Sequence, residues 1–133
     1  MESRSAERVD LDALSHLVIG SALRIHTRLG PGLFESVYHS VLHRDLVRCG
    51  LFVESNKLIS FEFEGEWFEN GFRTDLIVER CLVVEIKSIA AIAPVHERQL
   101  LTYLRLLDYK LGLLINFNNL HLKDGIKRVV NNY

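Results

Sequence analysis

GFRTDLIVERCLVVEIKS, residues 71–88, is the stretch from which the fold can be derived. Two runs of β-branched, aliphatic and aromatic residues, 72–78 and 81–87, are separated only by the polar pair Glu79-Arg80. Runs of this length and composition are typical of β-strands, and a short polar break between them is typical of a hairpin. The stretch therefore predicts two adjacent antiparallel strands.

The second of these predicted strands carries two charged residues in an otherwise apolar run. Because side chains alternate between the faces of a sheet, Glu85 and Lys87 are expected on the same face. Both faces of the strand are mostly apolar, which predicts a central position in the sheet. Buried charges are costly unless they pair or hold a metal ion, and Asp75 on the preceding strand can supply a second carboxylate.

Three short motifs occur at spacings that a known family shares. The first is Asp75 followed by Glu-Ile-Lys at residues 85–87, the second is GLFESVY at 32–38, and the third is QLLTY at 99–103. They resemble the D…(E/D)xK signature of the PD-(D/E)XK nuclease superfamily, the GxxExxY motif of one of its families of small bacterial proteins, and the QxxxY motif of its RecB-like members. Thr74 stands where the superfamily's name has proline, at a position that varies among relatives.

The resemblance implies a restriction-endonuclease-like αβββαβ core, with a mixed β-sheet flanked by helices, and Mg²⁺-dependent hydrolysis of nucleic acid in which Mn²⁺ can substitute. Asp75, Glu85 and the backbone carbonyl of Ile86 are the expected metal ligands, because Mg²⁺ prefers carboxylate and carbonyl oxygens. Lys87 would orient the attacking water or offset charge that builds on phosphorus, and Glu35 would hold a metal-bound water or a second ion.

The same residues have ordinary structural explanations. Glu35 can be a glutamate near a helix N-terminus that the helix dipole stabilises, and Glu85 with Lys87 can be a simple ion pair. Gln99 and Tyr103 lie four residues apart on one helical face, so both can reach one phosphate or one metal-bound water. Tyr103 can equally belong to the core, with Gln99 at its boundary.

Three histidines lie close to these motifs in the sequence. His39 and His43 form an HxxxH pair, but the pair lacks the internal glutamate of a zincin, which favours a solvent-exposed helix face. His96 lies one turn before the QLLTY motif, where it can contact substrate or simply face solvent.

The overall charge of −1 gives no general basic field that would drive tight binding to nucleic acid. A local basic rim along a nucleic-acid backbone is therefore the alternative, although most charge clusters are solvated faces. Affinity from so few cations should be modest and strongly salt-dependent. The candidates are Arg98, Arg105, Lys110, Lys123, Lys127 and Arg128.

A chain of 133 residues with 48% hydrophobic content is expected to form a single domain, residues 1–133, with a flexible N-terminus over residues 1–10. Cys49 and Cys81 fit reduced thiols better than a disulfide framework. The first ten residues lack an apolar signal-peptide core, and the apolar run 17–23 is too short to span a bilayer. A cytoplasmic protein without a membrane partner is expected.

Helices are predicted from apolar residues that recur every three or four positions. The first should run from an N-cap at Asp10 to about Arg28, and the second from about Leu33 to Cys49. A third should begin near Pro94, because proline suits the first turn of a helix. The apolar arc of the second helix is expected to consist of Leu33, Phe34, Val37, Tyr38 and Val41.

Further strands are predicted around the central hairpin. Residues 59–63 alternate weakly and lead into a turn at 64–66, and the continuous apolar run 112–117 is typical of a strand covered on both faces. Residues 120–122 and 126–130 are each expected to form short edge strands. The helix between residues 87 and 112 is long enough to connect parallel strands.

Three functions remain possible from the sequence. The first is a Mg²⁺-dependent nuclease that acts on DNA, because every superfamily position that can be tested is filled. The second is a nuclease-fold module that binds nucleic acid or a protein partner without cutting it. The third is a structural module in which Glu85 and Lys87 form an ordinary ion pair. A homodimer or an unidentified protein partner stays open.

Overall fold

Residues 10–133 are described by the computed structural model, and the predicted flexible N-terminus therefore lies almost entirely outside the described residues. The described chain contains three α-helices, five strands and one 3₁₀ helix. In chain order these are α1 (Leu11–Leu29), α2 (Glu35–Arg48), β1 (Val53–Phe63), β2 (Glu66–Val78), β3 (Leu82–Lys87), α3 (Pro94–Leu107), β4 (Leu111–Asn116), the 3₁₀ helix (Leu122–Gly125) and β5 (Ile126–Val130). This order confirms the predicted αβββαβ core.

The strands form one mixed sheet in the order β1-β2-β3-β4-β5. All neighbours are antiparallel except β3 and β4, which pair in parallel from Leu82↔Leu111 to Lys87↔Asn116. Helix α3 supplies the crossover that parallel pairing requires. The predicted mixed sheet flanked by helices is thus confirmed.

Each face of the sheet is covered by helices. Helices α1 and α2 pack on one face through residues such as Val18 and Leu42, and α3 packs on the other through Leu100 and Leu104. Every residue of β3 from Leu82 to Ile86 is buried, as the prediction of a central strand required. Burial on both faces explains why the run is apolar throughout, apart from the charged residues discussed below.

The predicted apolar arc of α2 was correct for Tyr38 and Val41, which lie in or against the core, and wrong for Leu33, Phe34 and Val37, which are exposed. Helix α2 begins at Glu35, so Leu33 and Phe34 precede it, and Phe34 is 82% exposed. The residues that it buries are Tyr38, Leu42 and Leu46, four apart along one face of the helix. Residues four apart share one face of the helix, so all three can face the sheet. A broader arc would include side chains that point away from the sheet.

The predicted edge strand at residues 120–122 was also wrong. The segment turns instead, and the 3₁₀ helix Leu122–Gly125 leads directly into β5. The buried side chain of Asn116 holds this turn, because its Nδ2 donates to Oδ1 of Asn119 at 2.8 Å. Two further elements are longer than expected, since β1 begins at Val53 and β2 at Glu66.

Strand β2 changes direction within its length. Leu76 packs in the core under α1 and α2, whereas Phe72, four residues away, packs on the side of α3. Residues separated by an even number should share a face, so the strand must twist between them. Asn56 of β1, opposite this point, has a φ of 54°, which marks a local irregularity in the neighbouring strand.

The pairing of β2 with β3 ends beside this point. The two strands pair only over Leu76↔Val84 to Val78↔Leu82, although β2 continues for ten residues before Leu76. Beyond this point β1 and β2 form a two-stranded extension, residues 57–74, which we call the hairpin arm. The antiparallel register places Asp75 and Glu85 where the strands begin to diverge.

None of the helices within residues 10–133 has the length and apolar character needed to cross a membrane.

Candidate functional site

Asp75 and Glu85 form a buried pair where β2 and β3 diverge. Asp75 is only 9% exposed and Glu85 only 6%. Oε2 of Glu85 accepts a hydrogen bond from the backbone N–H of Asp75 at 2.9 Å, and Oδ2 of Asp75 accepts one from the N–H of Ile86 at 2.7 Å. Because the strands no longer pair here, each carboxylate takes the place of a missing sheet partner. The same bonds hold each side chain across the gap between the two strands.

Burial and the nearby carboxylate of Asp75 disfavour the charged form of Glu85. Burial, followed by the charge of Asp75, raises the pKa of Glu85 from an ordinary 4.5 to about 8, and the cation of Lys87 offsets only part of this. A divalent cation between the two groups would reverse the effect, because it favours both ionised carboxylates. The pair therefore has the electrostatic character of a cation site.

The raised pKa of Glu85 makes the stability of the metal-free protein dependent on pH. A carboxyl group with a higher pKa in the folded state stabilises the fold below its unfolded value, and this contribution is lost as pH rises through the folded value near 8. We expect the unfolding temperature in chelator to fall between pH 5.5 and 8.5. Glu85→Gln should remove most of this fall, which thermal unfolding of both proteins would measure. An equal fall in both would contradict the assignment to Glu85.

The segment before α2 is anchored by Tyr38, the last residue of the GLFESVY motif. The Tyr38 hydroxyl donates to the carbonyl of Gly30 at 2.6 Å and accepts from the N–H of Leu33 at 3.1 Å. Gly32, with a φ of 101°, lies inside the clamped loop and has a conformation that side chains rarely adopt. Ser88 after β3 donates to the Leu33 carbonyl at 2.7 Å. These bonds attach the start of α2 to the end of β3.

The clamp places Glu35 beside the buried pair. Glu35 and Asp75 line one open cavity of about 650 Å³. Glu35 is accessible to solvent, yet partial burial and then the charge of Asp75 raise its pKa, while Lys87 and Arg73 oppose the rise. Three carboxylates thus converge on this end of the sheet. A role limited to the helix N-terminus would not require this proximity.

Loss of the Tyr38 hydroxyl should loosen the clamp. Tyr38→Phe removes two hydrogen bonds but keeps the ring, which stacks on Phe117 at 4.5 Å between centroids. We expect the free energy of unfolding to fall by about 1–2 kcal/mol, because a partly buried N–H donor and carbonyl acceptor lose their partner. Urea unfolding would measure the loss, with Tyr109→Phe as a matched hydroxyl deletion outside the clamp. An equal effect of the two substitutions would contradict the clamp.

Lys87 lies at the end of β3, in register with Asn116 of β4. Its side chain is half-buried, and its charge lowers the pKa values of both Glu35 and Glu85 against the effect of burial. The loop after it is held by Asn116, whose side chain bonds both the N–H and the carbonyl of Ile89 at 3.0 Å. The cation is therefore positioned beside the carboxylates on a rigid strand end.

Gln99 and Tyr103, the first and last residues of the QLLTY motif, have different environments. Tyr103 stacks on Phe72 at 4.3 Å, and burial together with the charges of Glu85 and Asp75 raises its pKa. Its ring therefore packs against β2 while its hydroxyl is electrostatically coupled to the carboxylate pair. Gln99 lies one turn earlier on α3 and is exposed. His96 accepts a hydrogen bond from the N–H of Ala93 at 2.9 Å, which makes it a helix-capping residue.

Several residues that line the cavity were not identified from the sequence as part of the site. Arg73 and Ser55 lie on the strands, and His39 and His43 lie on α2. His39 bonds the Ser55 hydroxyl at 2.8 Å and is partly buried, and burial lowers its pKa. The histidine pair thus faces the cavity instead of an open helix surface. The sequence could have indicated that Arg73 belongs to the site, because Arg73 lies two residues before Asp75 on a strand.

Two members of the predicted basic rim, Lys110 and Arg128, lie away from the site or have a partner elsewhere. Lys110 precedes β4 and lies at the end of the sheet opposite Lys87, because β3 and β4 run in parallel. Arg128 on β5 pairs with Asp12 of α1. The remaining candidates, all exposed, are distributed over α3, the 3₁₀ helix and β5: Arg98, Arg105, Lys123 and Lys127.

The donors suit a hard divalent cation without forming a complete cage. No cluster of three or more His, Cys, Asp or Glu residues with metal-binding geometry occurs within residues 10–133. Each carboxylate of the pair uses one oxygen for a backbone bond, Oδ2 of Asp75 and Oε2 of Glu85, and keeps its second oxygen. Mg²⁺ commonly binds through one or two carboxylates and retains several waters. The residues present therefore fit Mg²⁺.

Comparison with known proteins gives one match. The model of a family described as PD-(D/E)XK nuclease superfamily matches residues 12–129. No curated protein and no solved structure matches significantly. The match covers all five strands and all three helices apart from one residue at the start of α1 and one at the end of β5.

Proposed function

Because this chain belongs to the PD-(D/E)XK nuclease superfamily, we propose that it is a Mg²⁺-dependent nuclease that hydrolyses phosphodiester bonds of DNA. The observation that carries the proposal is the buried pair of Asp75 and Glu85, each held by a backbone hydrogen bond where two strands diverge. A cytoplasmic location, where nucleic acid is accessible, is part of this proposal.

The proposed roles follow from the positions of the side chains. Mg²⁺, when bound, supplies Lewis acidity and lowers the pKa of a coordinated water. Asp75 and Glu85, with the Ile86 carbonyl, hold the ion, and Mn²⁺ can replace it. Lys87 offsets the negative charge that builds on the phosphate, and Glu35 accepts a hydrogen bond from a water in the cavity and orients it.

Tyr103 is proposed to donate its hydroxyl to a phosphate oxygen. Burial and the nearby carboxylates raise its pKa, so the hydroxyl keeps its proton and remains a donor. Gln99 lies one turn away on the solvent-exposed surface of α3, where it can contact the same strand of substrate. This assignment of the QLLTY motif corresponds to the RecB-like feature of the superfamily.

We also propose membership of the GxxExxY family within the superfamily. Support comes from what the motif residues do in this chain. Gly32 adopts a φ of 101°, Tyr38 clamps the loop that contains it, and Glu35 lines the cavity with Asp75. The three named positions of the motif thus serve one purpose, which is to hold a third carboxylate near the buried pair.

Purified protein should cut DNA only when a divalent cation is present. We expect nicking or degradation of a plasmid or a labelled oligonucleotide with Mg²⁺ or Mn²⁺, and none with chelator, because the carboxylate pair needs the ion to act. Duplex and single-stranded DNA and a matched RNA should be tested in parallel. Glu85→Gln, which keeps the side-chain volume, is the control for contaminating nuclease.

A module that binds without cutting is the second candidate, since the chain carries a net charge of −1 and an acidic cavity. Binding of DNA by the wild-type protein without cleavage in either cation, and equal affinity of Glu85→Gln, would establish it. A protein partner or a homodimer is compatible with both candidates.

A further inference from the structure

The outer side of the α1–α2 hairpin carries a second charged surface. Arg24 and Arg28 of α1 and Arg44 and Arg48 of α2 line one groove of about 400 Å³, which we call the arginine groove. The two residues of each pair are four apart, so each pair occupies one face of its helix. The other residues that line the groove are Ile25, Leu29, Val41 and Asp45.

The arginine groove has more positive charge than its own carboxylate can neutralise. Asp45 contacts Arg24 at 3.0 Å and also accepts a hydrogen bond from Ser21. Among residues 10–133, the other three arginines form no ion pair. Like charges four residues apart on a helix are unfavourable. Binding of an anion would offset that cost, and arginine is the side chain best suited to phosphate.

The charge of the groove contrasts with that of the remaining chain. Four arginines and one aspartate give the groove +3, and the whole chain carries −1, so all other residues together carry −4. The cavity beside the buried pair is lined by Glu35 and Asp75 against the single arginine Arg73, so its formal charge is −1 when its two histidines are neutral. A polyanionic substrate therefore needs cations from outside that cavity to bind.

Helix α2 forms a wall of both the arginine groove and the acidic cavity. Arg44 and Arg48 point to the first, and His39 and His43 line the second. A helix is about 10–12 Å across, similar to the roughly 12 Å width of the DNA major groove. One nucleic acid can therefore lie over α2 and reach both surfaces.

We propose that the arginine groove binds the phosphate backbone of the nucleic acid whose scissile bond lies at the Asp75–Glu85 pair. The assignment of the ligand rests on the proposed nuclease function. The competing occupant is an acidic protein segment, such as the hairpin arm of a second copy, which carries exposed glutamates near its tip: Glu62, Glu64, Glu66 and Glu69. Nucleic acid is favoured because the chain belongs to a nuclease superfamily and its active-site cavity supplies little positive charge.

The test is a triple substitution, Arg28→Gln with Arg44→Gln and Arg48→Gln, which leaves the ion pair of Arg24 intact. Fluorescence anisotropy in chelator with a labelled duplex and its single strand would give affinity as a function of salt. We expect affinity at about 100 mM salt to fall at least ~10-fold and the salt slope to decrease by about 2–3, since each lost phosphate contact removes roughly 0.9. The unfolding temperature should not fall, because like-charge repulsion is relieved.

A charge-matched control removes three cations elsewhere. Arg80, Arg105 and Lys110 lie near the end of the sheet opposite Lys87, and their replacement by Gln should change affinity by less than about two-fold. The single substitutions Arg28→Gln and Arg48→Gln, each expected to reduce the slope by about one, serve if the triple variant folds poorly.

The outcomes separate this proposal from the nuclease function. Cleavage by the wild-type protein, with equal affinity and slope in the triple variant, overturns the groove and leaves the nuclease standing. Binding of DNA by the wild-type protein without cleavage, with the predicted loss of affinity in the triple variant, overturns the nuclease function and supports the groove. Absence of binding to either probe overturns the groove. Dissociation of a wild-type dimer by the triple substitution, with unchanged DNA affinity, would assign the groove to an acidic arm instead.

Discussion

Asp75→Ala is expected to abolish both Mg²⁺ binding and cleavage. Removal of one of the two buried carboxylates leaves a single charged ligand, and the rate should fall by at least about 10³-fold, because the Lewis acid and the activated water are both lost. Isothermal titration calorimetry would measure Mg²⁺ binding, and a plasmid or oligonucleotide assay would measure cleavage. This is the largest effect that a single substitution in the chain should have on activity.

Asp75→Asn provides the matched control for structure. Oδ2 of Asp75 accepts a hydrogen bond from the N–H of Ile86 at 2.7 Å, and an asparagine oxygen can still accept it. Alanine leaves that buried N–H without a partner, at a cost of about 1–3 kcal/mol. We therefore expect both variants to be inactive but only Asp75→Ala to be destabilised by this loss. Cleavage at the wild-type rate by Asp75→Asn would contradict the metal-site assignment.

Lys87→Ala should separate catalysis from metal binding. Removal of a neighbouring cation does not weaken carboxylate ligation, so calorimetry should still detect Mg²⁺ binding. The rate of the chemical step should fall by about 10²-fold or more, because charge on the phosphate is no longer offset in the transition state. Single-turnover cleavage at saturating protein would isolate this step from substrate binding.

Lys110→Ala is the control for the loss of one lysine, since Lys110 lies at the opposite end of the sheet. It should leave the single-turnover rate unchanged. If Lys87→Ala instead raised KM with kcat unchanged, Lys87 would contribute to ground-state binding of the substrate and not to the chemical step.

Local sequence patterns were sufficient to predict the sheet and the buried carboxylates. The apolar run from Leu82 to Ile86 indicates a strand buried on both faces, and a charged residue inside such a run needs a partner. The predicted two-residue break at Glu79-Arg80 brings Asp75 opposite Val84, next to Glu85, and the observed turn is one residue longer, so Asp75 lies opposite Glu85 itself. Pairing between neighbouring strands depends on short-range order, which is why this part of the site could be derived.

The rest of the site depends on contacts between distant parts of the chain. Arg73 and His39 meet at the cavity beside the point where β2 twists between Phe72 and Leu76, and no local pattern predicts where a strand twists. The arginine groove likewise needs the register between α1 and α2, which is set by packing against the sheet. The failed prediction for residues 120–122 has a similar origin, since the buried amide of Asn116 determines the turn there.

The irregularities of β1 have a consequence for the solubility of the protein. Strand β1 is an edge strand of 11 residues, and an exposed edge of this length could recruit a strand from another chain and start aggregation. Asn56, with its positive φ, and the register shift between Ile59 and Phe61 break the straight run of backbone donors and acceptors. The distortion opposite Asp75 therefore lies beside the gap between β2 and β3 and also makes the edge a poor template for a growing sheet.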